Sequence, residues 1–386
     1  MFAIKLYNSI SDKGLKKLDP TQFMASTEVK NPVGILLRSH NLQEQELEDS
    51  VLCIARAGAG VNNIPVKICS QKGIVVCNTP GANANAVKEL VICSLFLASR
   101  GIVQAIAKIQ EYKNDPHVAK TAEKIKNEFV GPEIAGKTLG LIGLGAIGSR
   151  VANDAYALGM HVMGYDPFLT VENAINLTPN IERVLSIDRV LAESDYLSIH
   201  LPLNEQTKNF INSAQIAKMK DGVKISNFSR AEIVDNRALL QGIDLGKISC
   251  YITDFACPEL MGKDKIIVIP HLGASTPEAE DNCAEMACEQ LQDFLLNGNI
   301  KNSVNMPQVY MERAGKTRIT IINANVPSIV EKITRILSEK QINIHEMVNK
   351  SMSDYAYNII DTDQDVTQEL IDKMMSVEGI IRVRKL

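Results

Sequence analysis

Three side chains in this 386-residue chain suit the movement of a hydride and a proton on a small acid. Each follows an apolar run. Arg230 ends KISNFSR, Glu259 follows ITDFACP, and His271 follows IIVIP. The spacing is 29 residues from Arg230 to Glu259 and 12 from Glu259 to His271. A guanidinium can grip a carboxylate through two parallel hydrogen bonds. An imidazole titrates near neutrality, so it can take a hydroxyl proton as hydride leaves the same carbon. A carboxylate bonded to that imidazole would fix its tautomer and make it a better base. Plainer readings stand beside these: a surface arginine closing a strand, a solvated acid beside Pro258, and a loop histidine bonded to backbone. His200, at another strand end, reads as a residue that helps shape a neighbouring site.

The elements that must position these residues centre on 138–167, TLGLIGLGAIGSRVANDAYALGMHVMGYDP. The run 139–142 reads as a buried strand, and Gly143-Leu-Gly145-Ala-Ile-Gly148 opens a helix to Leu158. Gly159 stops that helix in the left-handed conformation, and 161–165 is the next strand, closing at Asp166. This is a complete βαβ unit of about thirty residues. Gly143 allows the tight turn, Gly145 lets backbone approach a pyrophosphate, and Gly148 lets helix and strand pack closely. The helix N-terminus then faces the phosphates. Asp166 falls where an acid accepts ribose hydroxyls, and Pro167-Phe168 after it, with no arginine, favour NAD over NADP. In open parallel sheets ligands lie beyond the carboxyl ends of strands, where Arg230, Glu259 and His271 fall.

Bulk properties allow two or three domains with ordinary cores: 45% hydrophobic and 22% charged residues. A net charge of −4 gives no electrostatic case for nucleic acid or an anionic membrane. Lys5 interrupts the first apolar run, so no signal peptide is expected. No stretch of about 18 apolar residues predicts a membrane span. Eight scattered cysteines without a CxxC pair argue against zinc and disulfides, and for a reducing, cytoplasmic location.

Strand–helix alternation over 2–98 predicts a parallel sheet covered on both faces, with strands at 2–7, 33–39, 51–57 and 74–79 and a helix at 85–99. Residues 101–130 read as a helix and a charged connection. After the dinucleotide unit come strands at 196–201, 224–228, 248–254 and 266–269, then a long helix over 277–297. Residues 298–316 read as a linker. The remaining 317–386 follow the order βαββαβ of a self-contained ferredoxin-like domain.

The chain resembles the D-2-hydroxyacid dehydrogenases, and among them the D-3-phosphoglycerate dehydrogenases. The resemblance rests on ARAGAGVNNI (55–64), NTPGANANAVKEL (78–90), GLGAIG (143–148) with Asp166, LPLNEQT (201–207), NFSRAEIVDNRALL (227–240), TDFACPE (253–259) and PHLGASTPEAEDN (270–282). It implies two doubly wound parallel-sheet domains, with a Rossmann NAD domain (99–282) inserted in a flavodoxin-like substrate domain (1–98 and 283–305). Residues 306–316 would be the linker and 317–386 an ACT-like regulatory domain. It implies Arg230 as carboxylate anchor, Glu259 as the partner of His271, and His271 as acid–base. The family motif ends Glu-Pro, whereas Pro258 here precedes Glu259.

By the same resemblance NAD would meet Gly143, Gly145, Ala146, Ile147, Gly148, Asp166, Leu201, Pro202, Phe228, Ser229, Gly273 and Ala274, with Asp254 at the nicotinamide amide. Arg38, Ser39, Arg56 and Asn83 would line the substrate site, and the N–H groups of Ala57 and Gly58 would complete an anion nest. Lys126 would reach a partner subunit's site in a homodimer or homotetramer. The implied reaction is oxidation of 3-phospho-D-glycerate, the first step of serine biosynthesis. In the last domain Asn325 and Asn343 match effector positions, while Asn323 and Ser328 stand where a histidine and a glycine are usual. Two other functions remain open at this point: oxidation of a different 2-hydroxy acid such as 2-hydroxyglutarate, and non-catalytic NAD sensing. The last domain equally fits a role in dimerisation alone.

Overall fold

The computed structural model describes residues 1–386, the Glu172 side chain aside. Two compact units form: Met1–Asn83 with Pro277–Leu386, and Ala84–Thr276.

In the first unit, strands β1 (Phe2–Leu6), β2 (Phe23–Ser26), β3 (Gly34–Leu37), β4 (Cys53–Arg56) and β5 (Val75–Cys77) pair in the order β2-β1-β3-β4-β5. All four pairings are parallel, which is the flavodoxin-like order. The runs GILL and VVC are buried throughout because both faces are covered. On one face Leu36, Cys53 and Val75 meet Ala284, Cys288 and Leu291 of the helix Pro277–Asn297. On the other, Ile35, Ile54 and Val76 meet Leu42, Ile64 and Cys69.

The second unit holds β6 (Thr138–Ile142), β7 (His161–Tyr165), β8 (Glu182–Arg183), β9 (Tyr196–Ile199), β10 (Val223–Asn227), β11 (Ile248–Thr253) and β12 (Ile266–Val268). Their order is β12-β11-β10-β9-β6-β7-β8, all parallel. The chain reverses direction across the sheet between β6 and β9, the point at which such sheets open a crevice. The helix Ala84–Ser99 buries Val87, Val91 and Leu95 against Leu139, Val151 and Ile252. It therefore groups with the second unit. The sequence placed the domain boundaries near 98 and 282, whereas the compact units divide after 83 and 276.

The last four strands, β13 (Thr317–Ala324), β14 (Ile344–Met352), β15 (Tyr355–Thr362) and β16 (Ile380–Lys385), form an antiparallel sheet in the order β14-β15-β13-β16. Helices Ile329–Glu339 and Gln368–Met375 cover one face through Ile333, Leu337, Leu370 and Met374. The fold is thus the expected α/β class with a ferredoxin-like addition. The other face is not free: Ile322, Tyr357 and Ile359 share the core of the first sheet. The 298–316 stretch read as a linker is packed there too, with Ile300, Met306, Val309 and Met311 buried. Arg318 explains its path. Fully buried, it pairs with Asp361 through two 2.7 Å bonds and donates to the carbonyls of Asn297, Met311 and Glu312.

Candidate active site

The dinucleotide cradle has the geometry its glycines require. Gly143 has φ of +96°, a conformation that L side chains rarely adopt, and a Cβ there would lie 2.4 Å from the His200 carbonyl oxygen. A Cβ on Gly148 would lie 2.1 Å from the Gly143 oxygen, so only glycine lets the helix Gly148–Ala157 start this close. A Cβ on Gly145 would meet nothing within 4 Å. The open space over Gly145, beside a helix N-terminus, is what a pyrophosphate needs, and the residues fit NAD. Asp166 accepts the Leu144 and Phe168 N–H groups at 2.8 Å, one on each oxygen. This holds the carboxylate rigidly while each oxygen keeps a lone pair for a ribose hydroxyl. Ala146 and Ile147 lie in the turn between, and the Ala146 carbonyl accepts from Arg150 at 2.7 Å. His200 donates its backbone N–H to Ile142 and shares a 2.9 Å hydrogen bond between its Nε2 and Ser198 Oγ. Desolvation pushes its imidazole down to about 4, which keeps it neutral.

The strand ends beyond β9, β10 and β11 assemble the polar residues. The Leu201-Pro202 turn is fastened by Thr207 Oγ1 on the Pro202 carbonyl at 2.6 Å. Phe228 is buried, and Ser229 Oγ donates to Ile199 at 2.6 Å. Asn227, fully buried, donates from Nδ2 to the Arg230 carbonyl at 2.9 Å, and Arg230 Nη1 donates to the Ser229 carbonyl at 2.6 Å. Arg230 is thus a half-buried guanidinium on a rigid turn.

Asp254 ends the next strand, 2% exposed, and accepts the Gly273 N–H on Oδ2 at 3.3 Å. Burial pushes its carboxyl up, while His271, the Gly273 N–H and Arg230 hold it down. Asp254 thus ties the loop that carries His271 to the end of β11, which pairs with the β10 strand leading to Arg230. His271 is exposed, with its ring edge-on to Phe255 at 5.1 Å between centroids. Ala274 follows Gly273 on the same turn.

Glu259 does not take the position expected of it. It is exposed and bonded to its own backbone N–H and the Cys257 thiol, which together lower its carboxyl. Among the described residues it makes no hydrogen bond to His271. The physical reason is the compact turn after Pro258, which folds the carboxylate back on its own loop. The contact of Phe255 with His271 was not foreseen; its place directly after the strand-end aspartate was the available signal.

In the first unit, Arg38 pairs with Glu280. The Ser39 N–H donates to Asn8 Oδ1 at 3.1 Å. Arg56 folds over Gly58, where an added Cβ would lie 2.3 Å from its Nη1. The expected nest is absent: the Ala57 N–H donates to the Leu37 carbonyl at 2.8 Å and the Gly58 N–H to the Arg56 carbonyl at 2.9 Å. Parallel pairing of β3 and β4 continues one residue past the strands and uses the Ala57 donor, while Gly58 closes a three-residue turn on Arg56. Asn83 is half-buried at the end of the NTPGAN loop. Lys126, in the second unit, is exposed and pairs with Glu123.

In the last sheet, Asn323 and Asn325 line a cavity of about 480 Å³ with Ser328, Glu331 and Asn349. Asn323 Oδ1 accepts from Asn358, whose own Oδ1 accepts from Asn349. Ser328 takes φ of +69°, where the usual glycine would be unstrained. Asn343 lies outside this cavity and donates to Asp363 at 2.6 Å.

Residues 93–273 match the family of D-isomer specific 2-hydroxyacid dehydrogenases in its NAD-binding domain. D-3-phosphoglycerate dehydrogenase from Haemophilus influenzae is 30% identical over 385 residues, covering 96% of this chain and 90% of that protein. The chain belongs to the D-isomer specific 2-hydroxyacid dehydrogenases. NAD is the cofactor of the matched domain. A Methanocaldococcus jannaschii relative of the same name is 36% identical over 279 residues. The chain spans about half the length of that protein and of similar relatives from Synechocystis and Archaeoglobus fulgidus. A crystal structure of NAD+-bound 3-phosphoglycerate dehydrogenase from Entamoeba histolytica matches with a TM-score of 0.60 and 28% identity, covering 79% of this chain and 98% of that one. A glyoxylate reductase structure from Paecilomyes thermophila matches with a TM-score of 0.63 and 26% identity, over 78% of this chain and 98% of that one. No single helix is long and apolar enough to cross a membrane among the described residues.

Proposed function

We propose that this protein oxidises 3-phospho-D-glycerate to 3-phosphohydroxypyruvate with NAD, as a cytoplasmic homo-oligomer at the entry to serine biosynthesis. The observation that carries the reading is the dinucleotide cradle of Gly143, Gly145, Gly148 and Asp166 in the same sheet whose strand ends carry Arg230 and His271. Arg230 holds the substrate carboxylate; Asn227 fixes its backbone carbonyl and the Ser229 carbonyl aims its guanidinium. His271 Nε2 or Nδ1 takes the C2 hydroxyl proton as the hydride leaves C2. When bound, the nicotinamide supplies the hydride acceptor. Gly145 admits the pyrophosphate and Asp166 orients the adenosine ribose, with Phe228, Ser229, Leu201 and Pro202 bounding the cofactor. Arg38, Ser39, Arg56 and Asn83 are the proposed phosphoryl and carboxylate contacts of the first unit. Binding at Arg38 requires its pair with Glu280 to open. The relatives named D-3-phosphoglycerate dehydrogenase support the phosphorylated substrate.

The last domain is proposed to bind a small polar effector at Asn323 and Asn325, with Asn343 supplied by a second copy. The test is NADH formation from 3-phospho-D-glycerate, 2-hydroxyglutarate and D-lactate in parallel, with and without serine. Preference for the phosphorylated acid upholds the reading; equal or greater turnover of an unphosphorylated acid replaces it. Suppression by serine supports the effector site, and indifference to serine leaves the domain an assembly element.

A further inference from the structure

Arg38, a proposed anion contact of the first unit, already holds an anion: the carboxylate of Glu280. We infer that Glu280 is a tethered competitor for Arg38, and that it sets how this site selects between acids with and without a second anionic group remote from C2. The inference rests on the reading of Arg38 as a substrate contact and adds Glu280 to it.

The pair sits where the first sheet opens. The chain steps from β1 to β2 on one side and then to β3 on the other, so the crevice lies between the ends of β1 and β3. Arg38 is the first residue after β3. Its backbone is held on both sides. The Arg38 carbonyl accepts from Asn63 Nδ2 at 3.2 Å, and the next two N–H groups, of Ser39 and His40, donate to Asn8 Oδ1 at 3.1 and 2.6 Å. The guanidinium therefore works from a fixed base.

Glu280 is held as firmly. It lies in the first turn of the helix Pro277–Asn297, whose positive end favours a carboxylate. That helix is pressed against the chain: a Cβ on Gly14 would lie 2.5 Å from Ala284 Cβ, and Cys283, Ala284 and Cys288 are buried in the core of the first sheet. Neighbouring acids on the helix are engaged elsewhere. Asp281 pairs with Lys13 at 2.6 Å and accepts from Ser11 Oγ, while Glu285 and Glu289 pair with Lys17 at 3.2 and 2.9 Å. Glu280, one position round the helix from Asp281, meets Arg38 instead.

The two side chains keep 33% and 46% of their surface exposed, so a ligand can reach the guanidinium and the carboxylate can swing out. An anion that needs Arg38 must displace Glu280, which for a partly exposed pair weakens its binding about two- to fivefold. An acid without a second anion leaves the pair closed and carries no such penalty. A phosphoryl dianion brings more charge and a further oxygen to the exchange, whereas a second carboxylate exchanges like for like.

The experiment titrates 3-phospho-D-glycerate and D-glycerate, the same acid without its phosphoryl group, onto the NADH-loaded protein by calorimetry, with KM measured alongside. Wild type, Glu280→Gln, Arg38→Ala and the double variant are compared. Glu280→Gln should bind 3-phospho-D-glycerate about two- to fivefold more tightly and raise its preference over D-glycerate by the same factor. A gain in affinity is not what damage to the fold produces. In the Arg38→Ala background most of that gain should vanish, because the object of the competition is gone. Unchanged or weaker binding in Glu280→Gln, with Arg38→Ala still weakening the phosphorylated acid, overturns the competitor and leaves Arg38 as a contact. An equal gain for both acids, or one that persists without Arg38, also overturns it. Arg38→Ala binding the phosphorylated acid like wild type removes the Arg38 reading and the inference together. Binding measured this way needs no turnover, so the result stands whichever 2-hydroxy acid the protein oxidises.

Discussion

Gly145 and Gly148 look alike in sequence and should fail differently. Gly148→Ala places a methyl 2.1 Å from the Gly143 carbonyl oxygen and 3.1 Å from its carbon, both backbone atoms that cannot rotate away. Overpacking of this kind costs about 1–3 kcal/mol, and a rigid backbone neighbour puts it near 3. For a unit the size of Ala84–Thr276, that is a fall in Tm of roughly 6–12 °C. Gly145→Ala meets nothing within 4 Å, so its effect on stability should stay within about 0.5 kcal/mol. Its methyl instead occupies the space into which a pyrophosphate must come to reach backbone N–H groups. Loss of one such approach should weaken NAD at least about tenfold, or 1.4 kcal/mol. Thermal unfolding and calorimetric titration of NAD on both variants give the two readouts. Gly145→Ala binding NAD like wild type, or Gly148→Ala melting like wild type, would refute the cradle geometry.

Arg230→Ala should raise KM for the hydroxy acid about 10- to 100-fold, the range for charged hydrogen bonds, and leave the Kd of NAD unchanged by direct titration. Asp361→Asn strands the buried Arg318 guanidinium and should cost about 3–5 kcal/mol in urea unfolding. His200 has a folded value of about 4 against 6.5 unperturbed, so the unfolded chain binds more protons between those limits. Stability should therefore fall as pH drops from 6.5 toward 4, by up to about 3 kcal/mol. His200→Gln should flatten this slope, as read from urea midpoints at the two ends of that range.

The dinucleotide unit was legible because its signals are local: glycine spacing, a strand run, a helix of ten residues and an acid at the next strand end all lie within thirty residues. The strand-end positions of Arg230 and His271 were legible for the same reason, as polar residues directly after apolar strands. What failed depended on paths through space. Glu259 keeps its distance from Arg230 in sequence, yet the turn after Pro258 sends its side chain to Cys257. Ala57 and Gly58 read as donors for a ligand, but β3 and the chain itself use their N–H groups. Residues 298–316 lack periodicity and look like a tether. Their apolar members are buried because Arg318 and the first sheet's core receive them, and no local pattern records that. The helix Ala84–Ser99 shows its apolar face in sequence but not which sheet it covers.

The most direct test of the central claim uses 3-phospho-D-glycerate carrying deuterium at C2, with wild type and His271→Ala. Direct hydride transfer to NAD with His271 as base predicts deuterium in the reduced nicotinamide from wild type. His271→Ala should form little reduced cofactor while binding both ligands. Reduced cofactor without the label, or a His271→Ala variant that turns over like wild type, would contradict the account.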